Sequence, residues 1–147
     1  MDLEKINYYR SESRRIYNYL LTEFCSRFEW IKKYPRDESS SDYGLATVLM
    51  DHYITPQTIN AIKSGMLTQN DFLDFFWLLE ELLTGSDILL KDIICTTLIE
   101  KLSSEEDFQI DLFFPYCGSA TRTAIYNSLL RFYKKQDRVK MLKSKYP

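Results

Sequence analysis

The chain has 147 residues, of which 45% are hydrophobic and 27% charged, and its formal net charge is −2. A hydrophobic share of this size excludes wholesale disorder, and the length is sufficient for one domain with a substantial core. The sequence contains only four glycines and four prolines, which disfavours a turn-rich β-sandwich. We therefore predict an all-α fold and a single domain over residues 1–147.

Targeting segments and bound groups are not indicated by the sequence. The opening MDLEKINYYR lacks the apolar region of a signal peptide, and no apolar run approaches the ~20 residues that span a bilayer. Cys25, Cys95 and Cys117 form no CxxC pair, so we interpret them as buried thiols in a reducing cytosol. These features predict a cytoplasmic protein with no metal, cofactor or membrane partner.

The sequence before residue 43 predicts one or two helices and one loop. Apolar residues three or four positions apart indicate a long first helix, which ends before Pro35: Ile16, Leu20, Phe24, Phe28 and Ile31. Ser11 or Ser13 could cap this helix after a short N-terminal one. The stretch PRDESSSDYG predicts a loop.

Two further helices are predicted before residue 65. The first covers Tyr43 to Tyr53, with Leu45, Val48 and Leu49 buried. The second begins at Thr55 and Pro56, because a hydroxyl caps free amides and proline has no amide to leave unpaired. Gly65 is expected to end it in a left-handed conformation.

The middle of the chain predicts a helical pair. Thr68 with Asp71 has the spacing of a capping box, which predicts a helix over residues 69–84 that Gly85 ends. Ser86 or Asp87 begins the next helix. Its buried stripe is Leu90, Ile93, Ile94, Thr97 and Leu98. Because the connection is short, we expect two antiparallel neighbours.

The last third predicts two helices and one undecided segment. Ser103 with Glu106 is a second capping-box spacing, and Phe108–Phe114 is either a helical turn or an extended link. A helix from Ser119 or Thr121 to about Lys135 is expected to bury Ala124, Ile125, Leu129 and Phe132, and a basic helix follows over residues 137–145. The whole is a bundle of about six to eight helices, with HEAT-like stacking of αα-hairpins as an alternative form.

Catalytic motifs are missing from the sequence. His52 is the one histidine, and neither a glycine-rich phosphate loop nor an HExxH motif occurs. Glu80 and Glu81 are consecutive on a predicted helix, so their side chains point about 100° apart. We predict that the protein is not an enzyme.

Charge is distributed unevenly along the chain. Residues 70–111 contain eleven acids and two bases, whereas residues 131–147 contain seven bases and one acid. The basic tail is interleaved with Phe132 and Tyr133, so a nucleic-acid-binding regulator is one alternative. An overall pI near 5.5 disfavours it, and we expect no direct nucleic-acid contact.

The acidic segment predicts a surface for another protein. Asp71, Asp74 and Glu81 share the outward side of one helix, with Trp77 close by. Acids steer a basic partner and an exposed aromatic anchors it; the alternative is a solvent-exposed helix that uses acids for solubility. The predicted partner-binding residues are Asp71, Asp74, Trp77, Glu81, Asp87 and Asp92.

Three segments carry a resemblance to a family: FFWLLEELLTGSD, IICTTLIEKL and FFPYCGSATRTAIYNSLLRFY. This order of an apolar helix, a small-residue turn, a second helix, a PYxG connector and an amphipathic helix resembles small all-helical bacterial immunity proteins of polymorphic toxin systems, including contact-dependent growth inhibition. The likeness covers under half of the chain. It implies binding and neutralisation of one cognate toxin domain. A helical adaptor or regulatory scaffold is the remaining alternative.

Overall fold

The computed structural model describes residues 2–31 and 45–147, and within these ranges it is all-helical, with no strand. The described residues form seven helices, which confirms the predicted fold class and helix number. Helix α1 is Leu3–Leu20 with the π-helical turn Leu21–Cys25; α2 is Ala46–Leu49, the π-helical turn Met50–Ile54 and Thr55–Lys63; α3 is Gln69–Thr84; α4 is Ile88–Ile94, the π-helical turn Cys95–Ile99 and Glu100–Ser103; α5 is Asp107–Phe113 with the 3₁₀ turn Phe114–Tyr116; α6 is Ser119–Phe132; and α7 is Gln136–Lys145.

The contacts divide the chain into two compact units, Met1–Thr58 and Ile59–Pro147, with the boundary inside α2. The single-domain organisation and the HEAT-like stacking stay predictions. The predicted loop PRDESSSDYG and the predicted helix start at Tyr43 lie outside the described residues.

In the first unit, α1 is one continuous helix from Leu3. Its N-cap is Asp2, whose carboxylate accepts a hydrogen bond from the backbone N–H of Glu4 at 3.0 Å. A new start at Ser11 or Ser13 was therefore wrong, and the Ser13 hydroxyl instead accepts a bond from the N–H of Ala46 at 3.2 Å. The predicted apolar stripe is confirmed, since all five of its residues are buried: Ile16, Leu20, Phe24, Phe28 and Ile31.

Helix α2 passes through Thr55 and Pro56 without a break, so the predicted new helix start was wrong. Proline cannot donate to the preceding turn, and its ring clashes with the carbonyl four residues earlier. The wider π-helical turn Met50–Ile54, which directly precedes Thr55, accommodates the ring. The Thr55 hydroxyl is buried without a hydrogen-bond partner instead of capping a helix, and Leu45, predicted to be buried, is 41% exposed.

In the second unit, several predicted ends of helices are confirmed. Gly65 follows α2 with a φ of 72°, the left-handed conformation that glycine adopts at no steric cost. Helix α3 has the predicted bounds. Gly85 follows it in an extended conformation with a φ of −70°, so this helix ends without a left-handed residue. Asp87 is the N-cap of α4 and accepts a bond from the N–H of Leu90 at 3.1 Å.

The end of α4 and the start of α5 differ from the prediction. Ser103 belongs to the last turn of α4, where its hydroxyl donates to the carbonyl of Ile99 at 2.7 Å. The capping box before α5 is formed by Glu106 and Gln109. The undecided segment is helical, as Asp107–Phe113. Phe132 ends α6 with 51% of its surface exposed, so its predicted burial was wrong.

Two ion pairs join helix α7 to helix α5. Arg138 pairs with Asp107, and its guanidinium also donates to the carbonyl of Glu105 at 2.9 Å. Lys145 lies 3.0 Å from the carboxylate of Asp111, which also accepts a bond from the Tyr146 hydroxyl at 2.8 Å. The bases of the tail thus meet some of the acids that precede them in sequence.

We expect Asp111→Asn to loosen the end of α7. The hydrogen bond from Tyr146, followed by that from Lys145, lowers the pKa of Asp111 below its ordinary value. The ionised carboxylate therefore stabilises the fold at pH values above about 3.9, the pKa of an aspartate in the unfolded chain. At neutral pH, the substitution should reduce the free energy of unfolding by about 1 kcal/mol or less. The deficit should shrink as the pH falls through the lower, folded-state pKa.

Urea unfolding at a series of pH values measures this deficit. Lys140→Gln, an exposed change in the middle of α7, is the control and should leave stability unchanged. A deficit that stays constant down to the most acidic folded sample would contradict the proposed role of the Asp111 charge.

Candidate protein-binding surface

Helix α3 is the rigid support of the predicted surface. Its first turn is closed by a capping box, in which the Asp71 carboxylate accepts from the N–H of Thr68 at 2.8 Å and the Thr68 hydroxyl accepts from the N–H of Asp71 at 3.2 Å. Its inner face is buried, and the ring of Phe76 stacks on that of Phe113 with centroids 5.6 Å apart. Packing on one side leaves the other side of the helix for solvent or a partner.

A groove opens on the outer side of α3, where it meets the connector between α5 and α6. Its volume is about 330 Å³. Trp77 is 56% exposed and Leu73 is 47% exposed, so the groove has an apolar surface. Tyr116 is held in place by stacking on Phe72 at 4.9 Å. We call this the Trp77 groove, and its lining includes Leu73, Asp74, Trp77, Glu80, Tyr116 and Gly118.

Glu80 fixes the floor of the Trp77 groove by capping another helix. Its carboxylate accepts bonds from the N–H groups of Ala120 at 2.9 Å and Thr121 at 2.8 Å, and from the Thr121 hydroxyl at 2.9 Å. The first N–H groups of a helix lack partners within the helix, and the helix dipole favours negative charge there. Gly118, the N-cap of α6, has no side chain of its own to satisfy them. Glu80 is thus engaged within the fold, in contrast to its neighbour Glu81, which is exposed.

The six predicted partner-binding residues are only partly brought together. Asp74 and Trp77 both line the Trp77 groove, and Glu81 is exposed on the same helix outside this lining. Asp71 is half-buried and belongs to the capping box of α3, whereas Asp87 caps α4. Asp92 is exposed and lines a different groove, between α4 and α6. The surface therefore centres on Asp74 and Trp77, with Glu81 beside them.

Sequence reasoning missed Leu73, Tyr116 and Gly118 as parts of the groove. Leu73 lies one helical turn before Trp77, a spacing that indicates a shared face. Tyr116 and Gly118 belong to the PYCG stretch, which identified a connector but did not indicate what it packs against. Tyr116 stacks on Phe72 and Gly118 lies against Glu80, both residues of α3 that are distant in sequence, which no local pattern reveals.

Ion pairing separates the acids of the middle segment into paired and unpaired groups. The carboxylates of Glu105, Asp107 and Asp111 pair with Lys63, Arg138 and Lys145. Within residues 2–31 and 45–147, by contrast, no ion pair joins Asp74, Glu81 or Asp92 to a basic side chain. Asp74 and Glu81 are thus available for an external cation, as are other exposed acids without an ion pair, such as Glu106 and Asp137.

Other candidate groups show no assembled reactive centre. His52 is exposed in the first unit, 3.9 Å from the carboxylate of Asp51. Over the described ranges, His, Cys, Asp and Glu side chains form no group of three suited to a metal ion, and no helix is long and apolar enough to cross a membrane. The absence of catalysis, cofactors and a membrane partner stays a prediction.

The thiols differ from the expectation that all three are buried. Cys117 is buried, and burial raises the pKa of its thiol, which therefore stays protonated at neutral pH. Cys25 and Cys95 are only half-buried. Burial, followed by the nearby charge of Asp92, raises the pKa of the Cys95 thiol.

Comparisons with protein-family models, with curated protein sequences and with solved structures found no match to this chain. Membership of the immunity-protein family therefore stays a prediction. The Trp77 groove and the acids around it are the features of the fold that bear on function.

Proposed function

We propose that this chain is an immunity protein, which binds and neutralises a cognate bacterial toxin domain through the acidic outer side of α3. The observation that carries the proposal is the Trp77 groove, in which a half-exposed tryptophan adjoins Asp74 on a capped, well-packed helix. Tryptophan in a partly enclosed position is the side chain most often found to dominate protein–protein binding energy. A preformed support also reduces the ordering cost of association.

The acids indicate the chemistry of the toxin. A nuclease needs a basic cleft to hold its polyanionic substrate, so an acidic surface is complementary to it and steers the encounter. Asp74 and Glu81 have no internal ion pairs within the described part of the chain, so they meet a basic partner without breaking a contact of the fold. We therefore propose a basic nuclease domain as the partner, bound without any chemical conversion.

Nucleic-acid binding by the basic tail has less support. Arg138 and Lys145 are engaged with α5, and the ammonium group of Lys143 lies over the ring of Tyr126 at 5.2 Å from its centroid. A phosphate would have to compete with these contacts. The neutralisation hypothesis is accordingly the one that we put forward.

Co-expression tests neutralisation directly. The toxin candidate is the C-terminal domain of a toxin-like protein encoded next to this chain, produced from an inducible promoter in the presence or absence of the intact chain. We expect the chain to restore growth and to co-purify with that domain, as a protein that blocks a toxin by binding must do. Growth arrest in the presence of abundant folded chain would reject the proposal for that pair, and restored growth without a complex would reject the binding mechanism.

A further inference from the structure

A second groove, independent of the Trp77 groove, lies between α4 and α6. Its volume is about 470 Å³, within the range of small-molecule sites. Its apolar surface comes from Leu83, Ile99, Ala120, Ala124 and Phe132. The α6 wall is open because it presents small side chains, Ala120 and Ala124, on successive turns. We call it the α4–α6 groove.

Ser128 provides an unsatisfied polar group in this groove. It lines the groove and is only 5% exposed, yet its hydroxyl has no hydrogen-bond partner. Other buried hydroxyls in the same unit bond to the carbonyl four residues earlier, as Thr97 does at 2.6 Å and Ser103 at 2.7 Å. A buried hydroxyl without a partner is costly, but the oxygen itself is shielded from solvent, so a bound acceptor reaches it only if the groove wall shifts.

Arg131 gives the same end of the groove a positive charge. It lines the groove one helical turn beyond Ser128, so the two share a face of α6. Its guanidinium lies 5.4 Å from the centroid of the Phe132 ring, and within the described residues no ion pair neutralises it. Its charge is opposed by the partial negative charges of the C termini of α6 and α4, about half a unit each, so the anion must contact Arg131 directly.

The remaining charges of the lining offset each other. Lys91 and Asp92 are consecutive on α4 and both line the groove. The Tyr133 hydroxyl donates to the carbonyl of Glu100 at 3.3 Å, so the C-terminal ends of α4 and α6 lie together. Lys91 and Asp92, in the first half of α4, are therefore remote from the end that holds Ser128 and Arg131.

We propose that the α4–α6 groove binds a small amphipathic organic anion. Its anionic group is held by Arg131, and its apolar body covers Ile99, Ala124 and the exposed ring of Phe132. A charge-assisted hydrogen bond and an apolar surface together provide both orientation and affinity. This site does not depend on the proposed toxin complex.

Anilinonaphthalene sulfonate tests the site, because it combines a rigid apolar body with one anionic group. Its uncharged analogue, N-phenylnaphthylamine, is the matched control ligand. We expect the sulfonate to bind once per chain, and Arg131→Gln to weaken it about tenfold while leaving the uncharged analogue unaffected. Lys101→Gln, an exposed change on α4, should have no effect on either ligand.

Blocking variants and a thiol readout locate the bound probe. Ala124→Phe and, separately, Thr123→Phe should abolish binding by filling the groove, with circular dichroism used to check each fold. In a Cys25→Ser background, bound sulfonate should slow alkylation of Cys95, which lines the groove, whereas Cys117 is buried in any case.

Three outcomes would overturn the proposal. The first is that folded Ala124→Phe and Thr123→Phe variants bind the sulfonate as tightly as the unmodified chain does. The second is that Arg131→Gln weakens binding of the sulfonate and of the uncharged analogue equally. The third is loss of the toxin complex, but not of dye binding, in the blocking variants, which would assign the groove to a protein partner. A substitution at Trp77 should leave dye binding intact, so failure of the proposed function and failure of this site are distinguishable.

Discussion

Replacing Glu80 with alanine should lower the free energy of unfolding by about 2–3 kcal/mol, because three donors at the start of α6 lose one charged acceptor. Thr121 is fully buried, so its hydroxyl and N–H cannot simply turn to bulk water. Chemical unfolding followed by circular dichroism measures the change. Glu81→Ala is the matched control, and because Glu81 is exposed it should alter stability by no more than about 0.5 kcal/mol.

Gly118→Ala should act through the same carboxylate. A Cβ atom at this position would meet Cδ of Glu80 at 2.4 Å, so the carboxylate must move out of reach of its donors. Gly118→Ala alone should therefore lower the free energy of unfolding by about as much as Glu80→Ala does. In a Glu80→Ala background, Gly118→Ala should lower the free energy of unfolding only a little, because the side chain that it would displace is already absent.

The double-mutant cycle distinguishes this account from a general intolerance of alanine at residue 118. The backbone there is extended, with a φ of −77° and a ψ of 179°, and is open to any residue. If the two single effects simply add, the contact between Gly118 and Glu80 is not the cause, and the interhelical cap has been assigned wrongly.

The sequence predicted helices well where their ends depend on neighbouring residues. The bounds of α3 match because Thr68 and Asp71 form a capping box within one turn and Gly85 follows the last turn. Thr55 followed by Pro56 wrongly predicted a new helix start, because a π-helical turn lets α2 continue through them. Proline excludes one hydrogen-bonding pattern, but it does not determine which other pattern replaces that one.

The candidate surface was only partly predictable, because it depends on contacts distant in sequence. Helical spacing correctly indicated that Asp74, Trp77 and Glu81 face outward. It could not reveal that Glu80 caps a helix forty residues later, or that Tyr116 stacks beside α3. The charge count likewise grouped acids that the fold separates, since Asp107 and Asp111 are paired with α7.

Trp77→Ala should weaken the complex with the cognate toxin domain at least tenfold, mainly through faster dissociation. A central aromatic anchor contributes roughly 2 kcal/mol or more when it is desolvated in an interface. Surface plasmon resonance measures both rates. Phe108→Ala, at a 66% exposed aromatic residue outside the Trp77 groove, is the control and should leave both rates unchanged.

Reversal of charge at Asp74 and Glu81 should mainly change the association rate. Asp74→Lys with Glu81→Lys removes the field that steers a basic partner, so association should slow about tenfold while dissociation changes less. Added salt should slow association of the unmodified chain in the same way, because exposed charges are screened beyond roughly 8 Å at physiological ionic strength. Asp137→Lys on α7 provides a charge reversal away from α3.

The two sets of rates together assign distinct roles to the tryptophan and the acids. If association of the unmodified chain is insensitive to salt and Trp77→Ala has no effect, then the toxin contacts an apolar surface elsewhere and the Trp77 groove is not its site. If only the salt dependence is missing, Trp77 remains the anchor, but a basic partner is ruled out. A complex weakened equally by Asp137→Lys would show that net charge matters and the position of the acids on α3 does not.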